Sequence, residues 1–325
     1  MNRLLIFTAL FLLTVSAASA QIYQMAEMNA AQLRALDKSK TVVIIPGGIM
    51  EQHGDLLPAG SDTLMNEWWT QRLAEAIVAR PGWKALIFPT VPLGTSGANE
   101  LGEKFDFPGS YTVRPETERQ VFMDLASALG EQNFKWVFVV HNHGAPRHNL
   151  MLDQAGDFFR DTYGGKMVNL AGLLPKNDNP APFRSAEVLK EEGVFEVHAG
   201  MSETSRILFL RPDLVSSTYL TAKPLTANTP AEAAALAKTN NWRGYIGSPR
   251  LANAAYGAQA MQYQADQYNR LALAILDGLD ERLITRFSTV AQGDKTITAI
   301  EAAAQKHNAE IESKQTNWLK KKAIK

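Results

Sequence analysis

Short apolar runs that alternate with helical stretches are the feature that most constrains this chain. Four runs rich in β-branched, aromatic or other large apolar residues occur at 41–45, 85–88, 136–140 and 166–170. Between them, apolar residues recur at helical spacing, and breakers such as Pro81-Gly82 end the helical stretches. Strands that alternate with helices predict an α/β fold, a three-layer α/β/α sandwich with a mostly parallel central sheet.

The predicted helices occupy six stretches of the chain. Their approximate bounds are 62–79, 115–132, 149–163, 202–210, 252–286 and a last stretch that follows Gly293 and ends in Lys320-Lys321-Lys322. A Gly-rich loop is expected at 94–109, and prolines and asparagines predict irregular structure at 171–197. In a parallel sheet the reactive groups collect in loops at the carboxyl ends of strands. The segments that follow the runs at 41–45 and 136–140 are therefore where a site is expected.

The first twenty residues have the pattern of a secretory signal peptide. Arg3 supplies a positive charge, an apolar run extends from Leu4 to Val15, and Ala18-Ser19-Ala20 is typical of a cleavage site. The run is shorter than the roughly 20 residues that a membrane-spanning helix needs. We expect cleavage near Ala20, no stable membrane anchor afterwards and a secreted or periplasmic protein. An uncleaved anchor is the alternative.

Composition excludes several classes of function. Lys and Arg total 33, as do Asp and Glu, so the net charge is zero and a global basic field for nucleic acid is absent. The chain has no Cys, which excludes disulfides, thiolate-bound zinc, iron–sulfur clusters and thiol nucleophiles. A metal site would use oxygen and imidazole ligands, which suit Zn²⁺, Mn²⁺ or Fe²⁺ better than Ca²⁺.

Carboxylates and a histidine occur together after the first strong strand. Glu51 and His53 are one residue apart, and in an extended segment their side chains project to the same side. Asp62 lies just before the next predicted helix, where its alternative role is to cap that helix. The alternative for Glu51 is a surface carboxylate. We predict Glu51, His53 and Asp62 as metal ligands, and a carboxylate such as Asp62 can bridge two ions about 3.5–4 Å apart.

Four other histidines lie in two later segments. His141, His143 and His148 follow the strand at 136–140, and His198 lies five residues before Glu203. We predict His143 as a metal ligand, whereas packing or support of a neighbouring ligand is the first interpretation for His141 and His148. Clustering with carboxylates is what favours chemistry here, since a single histidine is more often structural or exposed.

Four motifs between residues 40 and 215 together resemble one family. They are Glu51-Gln52-His53-Gly54 followed by Asp62, Phe107-Pro108-Gly109-Ser110, the strand end at 140–149, and His198-Ala199-Gly200 followed by Glu203-Thr204-Ser205. In this order the motifs are similar to those of the creatininase (creatinine amidohydrolase) family. From the sequence we expect one domain over residues 21–295 and a helical basic tail at 296–325. The resemblance implies an α/β/α sandwich for that domain. It also implies a homo-oligomer, in this family often a hexamer.

The resemblance further implies a divalent metal site, with Zn²⁺ expected first and Mn²⁺ or Fe²⁺ as alternatives, at one or two ions per subunit. By position, Glu51, Asp62 and His143 would hold one ion, and His53 with Asp62 the second. In creatininase a glutamate two places after the strand-end histidine completes the second site, and Ala145 stands there in this chain.

Two residues near the end of the matching region carry the remaining roles. His198 corresponds to the proton-transferring histidine of the family. Glu203, one helical turn away, is expected to replace the missing ligand and to take part in catalysis, with capping or bracing of its segment as the alternative.

The resulting hypothesis is an exported metal-dependent amidohydrolase that hydrolyses a non-peptide C–N bond of a small or cyclic amide through a metal-activated water. His198 would protonate the departing nitrogen. Two alternatives stay open. One is hydrolysis of a formamide or peptide bond at the same site, and the other is a metal- or ligand-binding module without catalysis.

Overall fold

Five parallel strands form the central sheet of the computed structural model, in the order β1–β3–β2–β4–β5. In chain order they are β1 Ile22–Gln24, β2 Thr41–Pro46, β3 Lys84–Ile87, β4 Trp136–Val140 and β5 Lys166–Asn169. The structure describes residues 21–175, 190–191, 198–290 and 293–322. The predicted signal peptide at 1–20 and most of the predicted irregular segment at 171–197 lie outside these residues.

Helices cover both faces of this sheet. The α-helices of the described residues, on the sheet and beside it, are α1 Ala30–Arg34, α2 Ser61–Val78, α3 Pro115–Glu131, α4 Pro146–Tyr163, α5 Met201–Leu210, α6 Pro230–Lys238, α7 Ala254–Leu276, α8 Phe287–Val290 and α9 Lys295–Lys321. A short antiparallel pair joins β6 Leu173–Leu174 to β7 Thr285–Arg286. Within the described residues, none of these helices combines the length and the apolar character needed to cross a bilayer.

The side chains of β2 show why the fold has three layers. Val42 and Ile44 belong to a core that includes residues of α2 and α7, whereas Val43 and Ile45 belong to a second core with α3 and α4. All four side chains are fully buried. A strand covered on both faces is apolar at successive positions, which is the pattern that the sequence shows at 42–45. The predicted α/β/α sandwich is confirmed.

The late helix is shorter than the sequence pattern predicts. The expected helix at 252–286 ends at Leu276, so the prediction of its end was wrong. Gly278 has a φ of +104°, a conformation that glycine adopts readily and that stops the helix. The elements β1, α1 and α6 were not predicted, because such short segments show too little periodicity.

The arrangement of β2 and β4 positions the site. These strands are neighbours in the sheet, and Pro46 at the end of β2 pairs with Val140 at the end of β4. The loops that follow them therefore leave the sheet at the same edge. Helix α2 begins at that edge, so residues far apart in the sequence meet there.

Candidate metal centre

Carboxylate and histidine side chains from four segments meet at this edge of the sheet. The Nδ1 atom of His143 lies 3.2 Å from Oε1 of Glu51 and 3.3 Å from Oδ2 of Asp62. The Nε2 atom of His53 lies 3.7 Å from Oδ1 of Asp62. His198 faces the same group, with Nδ1 3.8 Å from Oε1 of Glu51. The structure thus brings together the residues predicted from sequence; with Glu203 they are called the ligand cluster below.

Each histidine of the cluster donates one ring N–H to a backbone carbonyl. The pairs are His53 Nδ1 to Glu51 (3.0 Å), His143 Nε2 to Ser96 (3.0 Å) and His198 Nε2 to Gln52 (2.5 Å). A carbonyl oxygen only accepts, so the nitrogen beside it carries the hydrogen. The other nitrogen of each ring faces carboxylates, where it can bind either a proton or a metal ion. Metal-bound histidines typically have this arrangement.

A divalent cation fits the donor atoms of the cluster. Nε2 of His53 is buried without a hydrogen-bond partner, which is costly for a ring nitrogen that can bind a proton or a metal ion. Among the described residues, three sets of ligand atoms lie within 4.8 Å of one another: Glu51, Asp62 and His143; His53, Asp62 and Glu203; and Glu51, His53 and His198. Asp62 presents Oδ1 to His53 and Oδ2 to His143, as a bridging carboxylate would. Imidazole and carboxylate donors suit Zn²⁺, Mn²⁺ or Fe²⁺.

Two alternatives for the carboxylates are excluded. Asp62 does not cap α2, because Gly60 occupies the N-cap position and no side chain accepts a hydrogen bond there. Glu51 is not a surface carboxylate, since it is buried and its Oε2 accepts a hydrogen bond from the N–H of Ala98 (2.8 Å). The Gly-rich loop thereby orients Glu51, whose Oε1 faces His143.

Burial and the nearby charges of the ligand cluster shift the pKa values of its carboxylates and histidines. Burial raises the pKa of Glu51, but attraction from His143 and His198 outweighs it and holds that pKa well below its usual range. Asp62 shifts the other way, because burial and the neighbouring Glu51 carboxylate raise its pKa. Burial lowers the pKa of His143, yet Glu51 and Asp62 hold it well above its ordinary value. Burial lowers the pKa of His198, and attraction from Glu51 only partly offsets this effect.

Glu203 lies at the edge of the cluster and has two kinds of contact. Its Oε2 accepts a hydrogen bond from the N–H of Ala199 (2.6 Å), a residue with a positive φ of 47°. The same oxygen lies 3.8 Å from Nε2 of His53. The bracing contact is therefore observed directly, and the geometry also permits the predicted ligand role. Ala145, two positions after His143, offers only a methyl group and supplies no ligand.

His141 and His148 lie behind the cluster and do not face the carboxylates of the metal centre. Nδ1 of His141 is 3.2 Å from Nε2 of His148, and Nε2 of His141 lies 2.9 Å from the carbonyl oxygen of Val91 and 3.1 Å from the backbone nitrogen of Gly48. Nδ1 of His148 lies 2.7 Å from Oε1 of Glu118. Burial raises the pKa of Glu118 and lowers the pKa of both histidines, which favours neutral forms. These three residues are called the buried histidine chain.

A cavity of about 480 Å³ adjoins the ligand cluster. Besides the cluster, its lining includes residues that were not predicted as functional: Glu100, Arg147, Arg206, Ile297 and Ile300. Arg206 follows Glu203 by three positions on α5, so helical spacing would have placed it on the same face. No local pattern places the isoleucines at the cavity, because they reach it only through the packing of α9.

Comparison with known proteins agrees with this picture. The creatininase family model, described as creatinine amidohydrolase, matches residues 26–272. The mycofactocin precursor peptide peptidase of Mycolicibacterium smegmatis is 26% identical over 233 residues, which cover 71% of this chain and 83% of that protein.

Solved structures agree with the fold. A mutant creatininase superposes with a TM-score of 0.57 at 19% identity, over 78% of this chain and 98% of that one. A creatininase designated Mn gives a TM-score of 0.55 at 20% identity, over 78% and 97% of the respective chains. At these identities the structural likeness shows the fold alone, whereas the family match spans most of the chain. The chain folds as an α/β/α sandwich with histidines and carboxylates after β2 and β4, and the family model matches its residues 26–272. The chain therefore belongs to the creatininase family.

Proposed function

We propose that this chain is a metal-dependent amidohydrolase that cleaves an amide C–N bond. The observation that carries the proposal is the ligand cluster, in which three histidines leave one nitrogen each facing buried carboxylates beside a cavity. Membership of an amidohydrolase family supports hydrolysis as the reaction. The solved creatininase designated Mn supports a divalent ion as the cofactor.

The cluster provides ligands for two ions. Glu51, Asp62 and His143 would hold one, and His53, Asp62 and Glu203 would hold the second. Zn²⁺ and Mn²⁺ both suit these donors, and Fe²⁺ is a third candidate. A bound ion of this kind lowers the pKa of water and polarises an amide carbonyl. The protein supplies the orientation, since backbone carbonyls fix the rings of all three histidines.

His198 is positioned to move a proton. Its Nε2–H donates a hydrogen bond to the carbonyl of Gln52, so Nδ1 is the one ring nitrogen able to gain a proton. Nδ1 faces the ligand cluster. In the proposed reaction the oxygen of water bonds to the amide carbon. Nδ1 takes up the proton that water releases and returns it to the nitrogen as the C–N bond breaks.

A ligand role for His198 is the competing assignment, because Nδ1 also lies near Glu51 and His53. The variant His198→Gln separates the two roles. Loss of turnover with unchanged metal content supports proton transfer, whereas loss of metal supports ligation.

The size of the cavity favours substrates larger than a small ring. About 480 Å³ lies within the range of roughly 300–1,000 Å³ that is usual for drug-sized ligands. A relative of this chain is named a peptide peptidase. We infer that peptide-type amides belong to the substrate range along with small or cyclic amides.

The test is metal content combined with turnover. Protein purified without chelator is expected to contain one or two divalent ions per chain by elemental analysis, and to hydrolyse at least one member of a panel of lactams, formamides and short peptides. Tightly bound metal without hydrolysis across the panel would instead indicate a binding module.

Export and assembly are further proposals. Residues 1–20 support export, with cleavage after Ala20. Mass spectrometry of protein from the periplasm of a Gram-negative host should give a chain that begins at Gln21, and an intact chain in the membrane fraction would contradict this. The resemblance of the sequence motifs to those of the family is the basis for proposing a homo-oligomer. Light scattering is expected to give a mass of at least two chains, and a monomer at micromolar concentration would contradict it.

A further inference from the structure

The cavity beside the ligand cluster has two chemically different parts. One part consists of the ligands themselves. Another part is apolar and comes from the C-terminal region: Phe287 and Val290 of α8, and Ile297 and Ile300 of α9. These residues, called the apolar wall below, follow the segment 26–272 that the family model matches. Family membership therefore says nothing about what this wall does.

Contacts on both sides of the apolar wall hold it against the domain. Before the wall, Arg286 donates two hydrogen bonds to the carboxylate of Asp157 on α4, each 2.7 Å long. Beyond it, the ring of His307 on α9 stacks on Phe105 of the Gly-rich loop, with 4.3 Å between ring centroids. The first turns of α9 are thus a fixed part of the cavity and differ from its exposed, Lys-rich end.

Arg206 adds a positive charge to the same cavity. Its Nε is buried and has no hydrogen-bond partner, and among the described residues no carboxylate forms an ion pair with it. Its guanidinium lies 5.8 Å from the ring centroid of Trp69, a contact that positions the group without using its N–H donors. Since Arg206 is three residues after Glu203 on α5, both side chains lie on one helix face. A guanidinium in this situation suits the carboxylate of a ligand.

We propose that the apolar wall and Arg206 select the substrate, a linear amide that carries a bulky apolar side chain and a free carboxylate near the scissile bond. The side chain packs on Ile297 and Ile300, and the carboxylate pairs with Arg206. The selection of a substrate rests on the proposed function, because the amide has to reach the ligand cluster. An N-acyl amino acid is the smallest molecule with all three features.

Binding of three related probes tests the selection. Isothermal calorimetry on the metal-loaded full chain would compare N-acetyl-leucine, N-acetyl-glycine and N-acetyl-leucinamide. Loss of the apolar side chain is expected to weaken binding about tenfold to a hundredfold, and loss of the carboxylate about tenfold. Dissociation constants within twofold of one another for all three probes would overturn the proposal.

Variants assign each preference to its residues. The double change Ile297→Ala and Ile300→Ala should remove the preference for leucine over glycine, and Arg206→Gln the preference for the acid over the amide. Matched controls are Ile311→Ala, on α9 beyond the cavity, and Arg211→Gln, just after α5. Both control variants should bind the three probes with the same order of affinity as the wild type. A preference that survives in the cavity variants, or is lost equally in the controls, contradicts the assignment.

Turnover measured on the same acyl compounds separates the two proposals. If the probes bind in the expected order but neither they nor the panel of lactams, formamides and short peptides are hydrolysed, the binding preference is right and the proposed function is wrong. If amides are hydrolysed but the three probes bind alike, the proposed function stands and the selection is wrong.

Discussion

The ligand cluster and the buried histidine chain contain the same residue types, and the rings of His143 and His148 are only 5.1 Å apart. In the ligand cluster one ring nitrogen of each histidine donates a hydrogen bond to a backbone carbonyl, and the other nitrogen faces carboxylates. In the buried histidine chain both ring nitrogens of His141 have partners within the protein, and His148 lies between His141 and Glu118. Burial of a histidine therefore does not indicate a ligand. A metal ligand is indicated by a ring nitrogen that faces carboxylates beside a cavity.

Among variants that distinguish the ligand cluster from the buried histidine chain, Asp62→Ala is expected to have the largest effect. Asp62 belongs to two of the three sets of ligand atoms, so its removal should abolish tight metal binding and lower kcat/KM by at least about a thousandfold. Elemental analysis and steady-state kinetics on the same sample measure both effects. Full activity in this variant would exclude the proposed mechanism.

A change in the buried histidine chain should act on stability and leave metal content unchanged. His148→Ala leaves a void and deprives Glu118 and His141 of a partner, which should lower the free energy of unfolding by about 3–4 kcal/mol. Urea unfolding of wild type and variant, both saturated with metal, gives the difference. Loss of metal to the extent seen with Asp62→Ala would mean that the two groups do not act separately.

A buried carboxylate without a histidine shows what burial does by itself. Burial raises the pKa of Asp153 to about 6, although Ser288 donates a hydrogen bond to it (2.6 Å). Because the folded state favours the protonated acid, its stabilising contribution is complete below pH 3.8 and is lost as pH rises through about 6. Asp153→Asn cannot ionise. It should therefore gain about 2–3 kcal/mol relative to wild type between pH 4 and pH 8.

Urea unfolding at several pH values measures this change. Asp157→Asn serves as the matched control on the same helix, because its pKa is lowered through hydrogen bonds from Arg286. Its effect on the pH dependence should have the opposite sign. Parallel pH profiles for wild type and Asp153→Asn would contradict the prediction.

The smallest effect is expected for Glu118→Gln. Burial raises the pKa of Glu118 well above its usual range, which favours the neutral acid, and Gln replaces that acid by an uncharged amide of the same shape. The free energy of unfolding should change by less than about 1.5 kcal/mol, the net worth of one hydrogen bond, and metal content should not change. Glu51→Gln, at a carboxylate whose pKa is lowered, should in contrast lose metal. Equal metal loss in both variants would remove the distinction between the two groups.

The ligand candidates were accessible from sequence because they follow strands that are easy to recognise. The run at 41–45 predicts a buried strand, and Glu51 and His53 come shortly after it. The end of α7 was misjudged because apolar residues continue beyond Gly278, where the backbone leaves the helix. Arg206 was overlooked although its helical spacing from Glu203 places both side chains on one face, since that spacing does not show that the face borders a cavity.

The sequence by itself determined the layered α/β architecture, the absence of thiol chemistry and the residue types available for a metal site. These features depend on composition and on periodicity between close neighbours in the chain. Only the tertiary structure decided which nitrogen of each histidine stays free, that Glu203 reaches His53, and that Ile297 and Ile300 line the cavity. Such contacts join residues that are far apart in the sequence, so they depend on how helices pack on the sheet and not on local preference.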